Sequence, residues 1–192
     1  MNWAFKIIPL VNMKLETERL LLRSVKPTDV PGIFAYRSDA QTNQYQGWVP
    51  KKLEEVVPFI ANTAEFPNEP ESWFQLAIWT KSNEELVGDL GLHFFDAEHR
   101  QVEVGCTLSK QHHKKGYARE ALTAVLSQVF NIWKKHRVIT SIDPANTPSI
   151  RLVQHLGFRK EAHFVQSLYL NGQWVDDVIY ALLASEWKER LK

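Results

Sequence analysis

Apolar residues recur at Ala118, Leu122, Val125, Leu126, Val129, Phe130 and Trp133, in steps of three and four. That spacing gathers them on one face of an amphipathic helix, the strongest helical pattern in the sequence. Upstream the period changes to two. Ser72–Thr80 alternates and is rich in aromatics, Asn83–Asp96 follows a polar turn at Lys81–Glu85, and Arg100–Ser109 comes next. These runs predict a meander of neighbouring antiparallel strands. Gly88, Gly91 and Gly105 interrupt them, and each allows a bulge or a close backbone approach.

Arg19–Val25 and His136–Asp143 read as further strands. Pro27 or Thr28 opens a helix over Val30 to Tyr36. Lys51–Phe66 predicts a second helix, which Pro58 interrupts or kinks. Asn146–Phe158 predicts a short helix, with Asn146 or Thr147 as its cap, Pro148 in its first turn and Gly157 at its end. Asn171–Gly172 is a tight-turn pair joining two strands into a terminal hairpin. A last short helix starts near Ser185. This order predicts one α/β (α+β) domain built around a mixed sheet.

Composition narrows the classes. A chain of 192 residues with 44% hydrophobic and 23% charged positions can bury a full core. Its 23 basic and 22 acidic residues leave a net charge of +1, so nothing global steers it to nucleic acid, although a local patch can still bind a small anion. Cys106 is the single cysteine, which excludes an internal disulfide and a cysteine-rich metal site. The histidines show no zinc-site spacing, and no metal is expected. No apolar run reaches membrane-spanning length, and Lys6 breaks an N-terminal apolar stretch already short for a signal peptide. A cytoplasmic location fits. Residues 1–14 read as an extension and 15–190 as the domain. The extension is either a flexible arm or, because Trp3, Phe5, Ile7 and Ile8 are costly to leave wet, a segment packed on a partner. A homodimer is one possible assembly.

The run from Gln111 to Ala118, QHHKKGYA, carries the first candidate chemistry. Gly116 frees the backbone where strand gives way to helix, and the first helical turn leaves unpartnered N–H groups at the positive end of the peptide dipoles. Such a corner receives a phosphate or pyrophosphate. Lys114 and Lys115 add field, and His112 and His113 add donors. On spacing alone a solvated helix cap is the competing reading. The run matches neither a P-loop nor a dinucleotide fingerprint.

Three stretches in order, EVGCTLSKQHHKKGYAREALTAVL, NTPSIRLVQHLGF and YLNGQWVDDVIYALLASEW, resemble the GCN5-related N-acetyltransferase (GNAT) superfamily. The opening LETERLLLRSVKPTDV is similar to its branch of ribosomal-protein N-terminal (alanine or serine) acetyltransferases. The resemblance spans about residues 14–190. It implies a mixed sheet of about seven strands flanked by helices, with acetyl-coenzyme A as acyl donor. It also implies a pyrophosphate cradle of Gln111, His113, Lys114, Lys115, Gly116, Tyr117 and Ala118. Lys114 departs from the family, which has glycine there, and a positive φ at that residue would be costly. Asn146 matches the asparagine that helps hold the pantetheine arm. Val153 stands where many relatives carry the tyrosine acid, so Ser149, near the thiol, is the implied proton donor. Val104 and Cys106 would line the acyl group where Val104–Leu108 and Ile139–Asp143 splay apart, with backbone N–H groups as oxyanion donors.

Acetyl transfer from a thioester needs a neutral amine in position, a stabilised oxyanion and a departing thiolate. An α-amine, with a reference pKa near ~8, is the easier nucleophile than lysine near ~10.4. Glu103 is the candidate general base and Asp89 the reserve. Cys106 reads as a small buried residue rather than a nucleophile. Trp48, Trp73, Trp79 and Trp174 line an acceptor groove or fill packing positions. Asp176 and Asp177 either attract a cationic amine or are ordinary surface charge. The expected acceptor is a protein N-terminal α-amine. The alternatives are a small-molecule amine (polyamine, aminoglycoside or amino acid) and a non-catalytic acyl-coenzyme A-binding module.

Overall fold

The computed structural model describes residues 13–190. The expectation for Trp3, Phe5, Ile7 and Ile8 lies outside these residues.

Eight strands form one sheet: β1 (Lys14–Glu16), β2 (Leu20–Ser24), β3 (Ser72–Thr80), β4 (Leu86–Phe94), β5 (Gln101–Leu108), β6 (Arg137–Ile142), β7 (Arg159–Leu170) and β8 (Gln173–Leu183). Their spatial order is β1-β2-β3-β4-β5-β6-β8-β7. Among the described strands only the β5–β6 pair is parallel. The helices are α1 (Val30–Arg37), α2 (Val56–Ala61), α3 (Tyr117–Ser127), α4 (Thr147–His155) and α5 (Ala184–Arg190). The strand beyond the expected seven is β1, whose three residues are too few to show a period. The second predicted helix shrinks to α2, behind a 3-10 turn at Leu53–Glu55. It starts so that Pro58 falls in its first turn, where a missing N–H costs nothing. A π-helical turn, Gln128–Ile132, extends α3.

Strand alternation divides the core. Phe74, Leu76, Ile78, Leu90, Leu92, Val102 and Val104 face α3, where Leu122, Val125, Leu126 and Val129 close over them. The opposite face carries three cross-strand rows over β3, β4 and β5: Trp73–His93–Glu103, Gln75–Gly91–Gly105, and Ala77–Asp89–Thr107. A smaller cluster of Val30, Ile33, Tyr36, Val56 and Ile60 joins α1 to α2. Arg37, at the end of α1, reaches Asp89 on that second face.

The parallel pair is short. β5 and β6 match at Gln101–Arg137, Val102–Val138 and Glu103–Ile139, and pairing then stops. Both strands run on, β5 to Leu108 and β6 to Ile142. α3 makes the crossover between them, as a parallel pair requires.

Beyond α3, Lys135 is buried. Its Nζ donates to the His99 carbonyl at 2.6 Å and lies 5.2 Å from the Phe94 ring centroid. Burial pushes its ammonium down to about 8, partly opposed by Asp96. The folded value therefore lies below the unfolded value near ~10.4. Between the two, the unfolded chain binds the extra proton, so this group's contribution to stability rises with pH. Urea unfolding of the wild type should show a rise between about pH 8 and 10 that Lys135→Met lacks. Parallel pH profiles for the two proteins would refute the assignment.

Candidate active site

Where β5 and β6 part, the second face opens into a cleft of about 680 Å³. Glu103, Val104, Gly105, Cys106 and Thr107 form one wall, and Thr140, Ser141 and Ile142 the other. Asn146 and Ser149 close it from α4, Trp48 and Phe59 from the α1–α2 side, and Leu168 and Leu170 from the hairpin. Gly105 forms an open floor: a Cβ built there meets nothing within 4 Å.

Glu103 sits at the last paired position before the parting. Its Oε2 lies 3.4 Å from His93 Nδ1 on the neighbouring strand. The His93 ring stacks on Trp73, centroids 4.4 Å apart and planes within 4°. The carboxylate is thus oriented by a histidine that is itself held flat, and it remains partly open to the cleft. Asn146 caps α4, its side chain accepting from the Ser149 N–H at 3.3 Å. The Ser149 hydroxyl lines the cleft without a hydrogen bond to the described residues.

Val104 is buried and Cys106 half-buried. Burial, with the charge of Asp89 adding to it, pushes the Cys106 thiol up to about 12. A thiol so placed is no nucleophile at neutral pH. Asp89 itself is sealed: its Oδ2 accepts from Arg37 Nε at 3.0 Å, Arg37 Nη2 at 2.6 Å and Gln75 Nε2 at 2.7 Å. That leaves it unsuited to the reserve role of base. Trp48 and Trp73 line the cleft. Trp79 instead stacks under Arg23, and Trp174 lies exposed beside Tyr169 on the hairpin. Asp176 binds His163, and Asp177 accepts from Ser141 at 2.7 Å, so neither stands free for a cation.

β5 leads from this cleft into the positive corner. Gly116, at φ 84°, is the N-cap of α3. Lys114 also has a positive φ, 61°. The chain therefore takes a left-handed conformation without glycine, a cost of roughly 1 kcal/mol. Lys114, Lys115 and Gly116 are exposed, while Tyr117 and Ala118 are half-buried. The loop is braced by Arg19, whose Nη1 donates to the Lys115 carbonyl at 2.9 Å while its Nε donates to Glu120 at 2.7 Å. Arg19 also covers the Tyr117 ring at 4.9 Å. Gln111 is turned away and donates to Glu85 at 3.0 Å. His113 Nε2 lies 3.0 Å from the Leu108 carbonyl. His112, read as an exposed donor, is instead buried against Glu85 at 2.9 Å, because its ring completes the packing beside Tyr117. Its hydrogen bond holds the Glu85 carboxyl below the usual range.

The structure thus gathers Glu103, Val104, Cys106, Asn146 and Ser149 at one cleft, and Gln111 to Ala118 in the turn that β5 enters next. Sequence reasoning missed His93, Arg19 and the Arg37–Asp89–Gln75 cluster. His93 was detectable from its cross-strand register with Glu103. Arg19 and Glu120 are 101 positions apart, and no local pattern links them.

Residues 19–159 match the family model described as "Acetyltransferase (GNAT) domain". A solved acetyltransferase (GNAT family) from Bacillus anthracis superposes with a TM-score of 0.82 at 28% identity, covering 91% of this chain and all of that one (100%). A [Ribosomal protein uS5]-alanine N-acetyltransferase of Escherichia coli (strain K12) is 25% identical over 182 residues, 91% of this chain and 93% of its own. A spermidine N(1)-acetyltransferase of Vibrio cholerae is 27% identical over a shorter stretch of 105 residues, 55% of this chain and 61% of its own. The chain belongs to the GNAT family and is an acetyl-coenzyme A-dependent N-acetyltransferase.

Proposed function

We propose that this acetyltransferase acts on a protein N-terminal α-amine, in the manner of the ribosomal-protein enzymes, and does so in the cytoplasm. The observation that carries the choice of acceptor is the lining of the cleft, where among the described residues Glu103 is the one carboxylate, in a setting of aromatic, aliphatic and uncharged polar side chains with Arg37. A polyamine brings several ammonium groups and calls for several carboxylates, whereas one α-amine needs one acceptor for its proton. The length of the match to the uS5-alanine enzyme supports the same reading.

Acetyl-coenzyme A supplies an acyl group already activated as a thioester. The residues present fit such a donor. An anion-receiving turn at Lys114–Ala118 continues from the strand whose unpaired stretch walls the cleft. Glu103 takes the proton from the amine nitrogen, directly or through a water, as that nitrogen bonds to the acyl carbon. Main-chain N–H groups of β5 beyond Glu103, freed from β6, stabilise the oxygen that gains charge. As the C–S bond gives its electron pair to sulfur, the Ser149 hydroxyl would donate a hydrogen bond to the departing thiolate. Asn146 holds the arm of the donor. Lys114 and Lys115 would meet its diphosphate.

The direct test mixes the protein and acetyl-coenzyme A with a peptide bearing a free N-terminal alanine or serine. Parallel reactions use an N-blocked peptide with an internal lysine, spermidine and an aminoglycoside. Thiol release and mass should mark the free N-terminus. Turnover of spermidine alone would transfer the assignment to small amines, and tight cofactor binding without any turnover would make the chain a binding module.

Glu103→Gln should lower kcat by about 10²–10⁴ and flatten the pH–rate profile. The dissociation constant for coenzyme A, read by calorimetry, should stay within about twofold. A variant with wild-type rate and pH dependence would remove Glu103 from the role. Gly105→Val should block the cleft floor without harming the fold, because its side chain enters open space. Acceptor kcat/KM should fall at least about tenfold with the thermal midpoint nearly unchanged. Unaltered kinetics would place the acceptor elsewhere.

A further inference from the structure

The buried cluster under the cleft does more than hold α1, in a role that rests on the α-amine acceptor proposed for this enzyme. A carboxylate only accepts hydrogen bonds. Asp89 is fully buried, at 0% exposure, and Gln75 is 5% exposed. With Gln75 Nε2 donating to Asp89 Oδ2 at 2.7 Å, the amide has one orientation. The opposite flip would set a carbonyl oxygen against a carboxylate in a dry site. Gln75 Oε1 is therefore aimed away from Asp89, over Gly91, where a Cβ would come within 2.9 Å of it.

Arg37 is fixed by the same anion. Its Nε and Nη2 both go to Asp89, and its guanidinium lies 4.9 Å from the Phe59 ring centroid and 5.6 Å from that of Trp48. Its Nη1 and Gln75 Oε1 stand outside the hydrogen bonds to Asp89, with the Tyr36 hydroxyl as the other polar neighbour of the guanidinium. Arg37 and Gln75 line the cleft, and neither Nη1 nor Oε1 is among the sealed, unpartnered atoms. One acceptor and one donor are thus held rigidly on a single buried carboxylate. Asp89 offsets the charge of Arg37, so an approaching ammonium meets little repulsion.

We propose that Gln75 Oε1 and Arg37 Nη1 read the aminoacyl unit of the acceptor. Gln75 accepts an N–H of the incoming group, and Arg37 donates to the carbonyl oxygen beside the amine that is acetylated. An α-aminoacyl group offers both partners. An alkylamine or polyamine offers N–H donors but no carbonyl, and leaves the Arg37 N–H without a partner in a confined site. The pair selects acceptors by the carbonyl next to the amine, independently of side-chain fit.

The test uses matched acceptors: alanine amide, and isopropylamine, in which a methyl group replaces the amide. Rates are normalised to the free-base fraction, because the two amines differ in basicity. The wild type should favour alanine amide at least about tenfold in kcat/KM. Gln75→Met keeps the length of the side chain and loses its acceptor. It should bring the ratio toward one, mainly through the KM of alanine amide. Its thermal midpoint and coenzyme A affinity serve as folding controls. Titration of both amines into the coenzyme A complex of the wild type by calorimetry reads the same preference without turnover and without a variant. Equal use of the two amines, binding of neither, or an unchanged ratio in a folded Gln75→Met overturns the inference. Acetylation of alanine-starting peptides at an unchanged ratio would leave the protein-terminus reading intact while this one fails. Inert peptides beside a favoured alanine amide would do the reverse.

Discussion

The site exists because two parallel strands stop pairing after three residues. From Val104 and Thr140 onward, β5 and β6 have no hold on each other. Each is kept in the sheet from its outer side: β5 by β4 as far as Leu108–Gly88, and β6 by β8 as far as Ile142–Val178. The gap therefore stays open without either strand being lost. It leaves main-chain polar groups facing a space instead of a neighbour, a state that persists only where a ligand or water satisfies them. Gly105 adds no side chain to fill the space, and α4 starts close enough for Asn146 and Ser149 to border it. A longer β5–β6 ladder would make a better sheet and abolish the cleft.

Beneath that gap lies an expense in stability. Arg37 and Asp89 are both buried, and removing such charges from water costs several kcal/mol per ion before their attraction is counted. Burial works against the Arg37 charge, and Asp89 and Tyr36 together more than offset it. The same burial, with Asp89 close by, raises the Tyr36 hydroxyl well above its usual range. Apolar residues at these positions would serve the packing of α1 as well. What they could not do is fix the orientation of an amide and a guanidinium at the edge of a cavity. The buried pair is best understood as an orienting device, and its aromatic surroundings, Phe59 and Trp48, keep water from loosening it.

Much of this was legible in the sequence because the signals were local. The apolar stripe of α3, the alternation of β3, the cap of α4 at Asn146 and the Asn171–Gly172 turn each depend on residues close together in the chain. The ordered stretches resembling the GNAT superfamily then supplied an expectation that no local pattern gives, the joining of β5, α3 and α4 around one cofactor. What stayed hidden depends on distant pairs. Arg37 meets Asp89 across 52 positions, and Arg19 meets Glu120 across 101. His112 looked like a surface donor because its partner, Glu85, sits 27 residues away in the loop before β4. The π turn after α3 escaped for a different reason: apolar spacings of three and four do not reveal one inserted residue.

Lys114 shows how these distant contacts let the chain hold a left-handed residue that is not glycine. A left-handed lysine is disfavoured by its side chain, and such strain lasts only when neighbouring structure over-determines it. Here the following carbonyl, that of Lys115, is held by Arg19. Arg19 is held in turn by Glu120 in the first turn of α3, through both its main-chain N–H and its guanidinium. Thr17 adds a further hydrogen bond to the same carboxylate at 2.5 Å. The turn keeps the backbone that glycine would give because residues of the turn between β1 and β2 secure it. In the proposed reading, the exchange trades backbone ease for a cation placed where a diphosphate arrives. The brace that carries the strain is then as much a part of cofactor recognition as the lysine it supports.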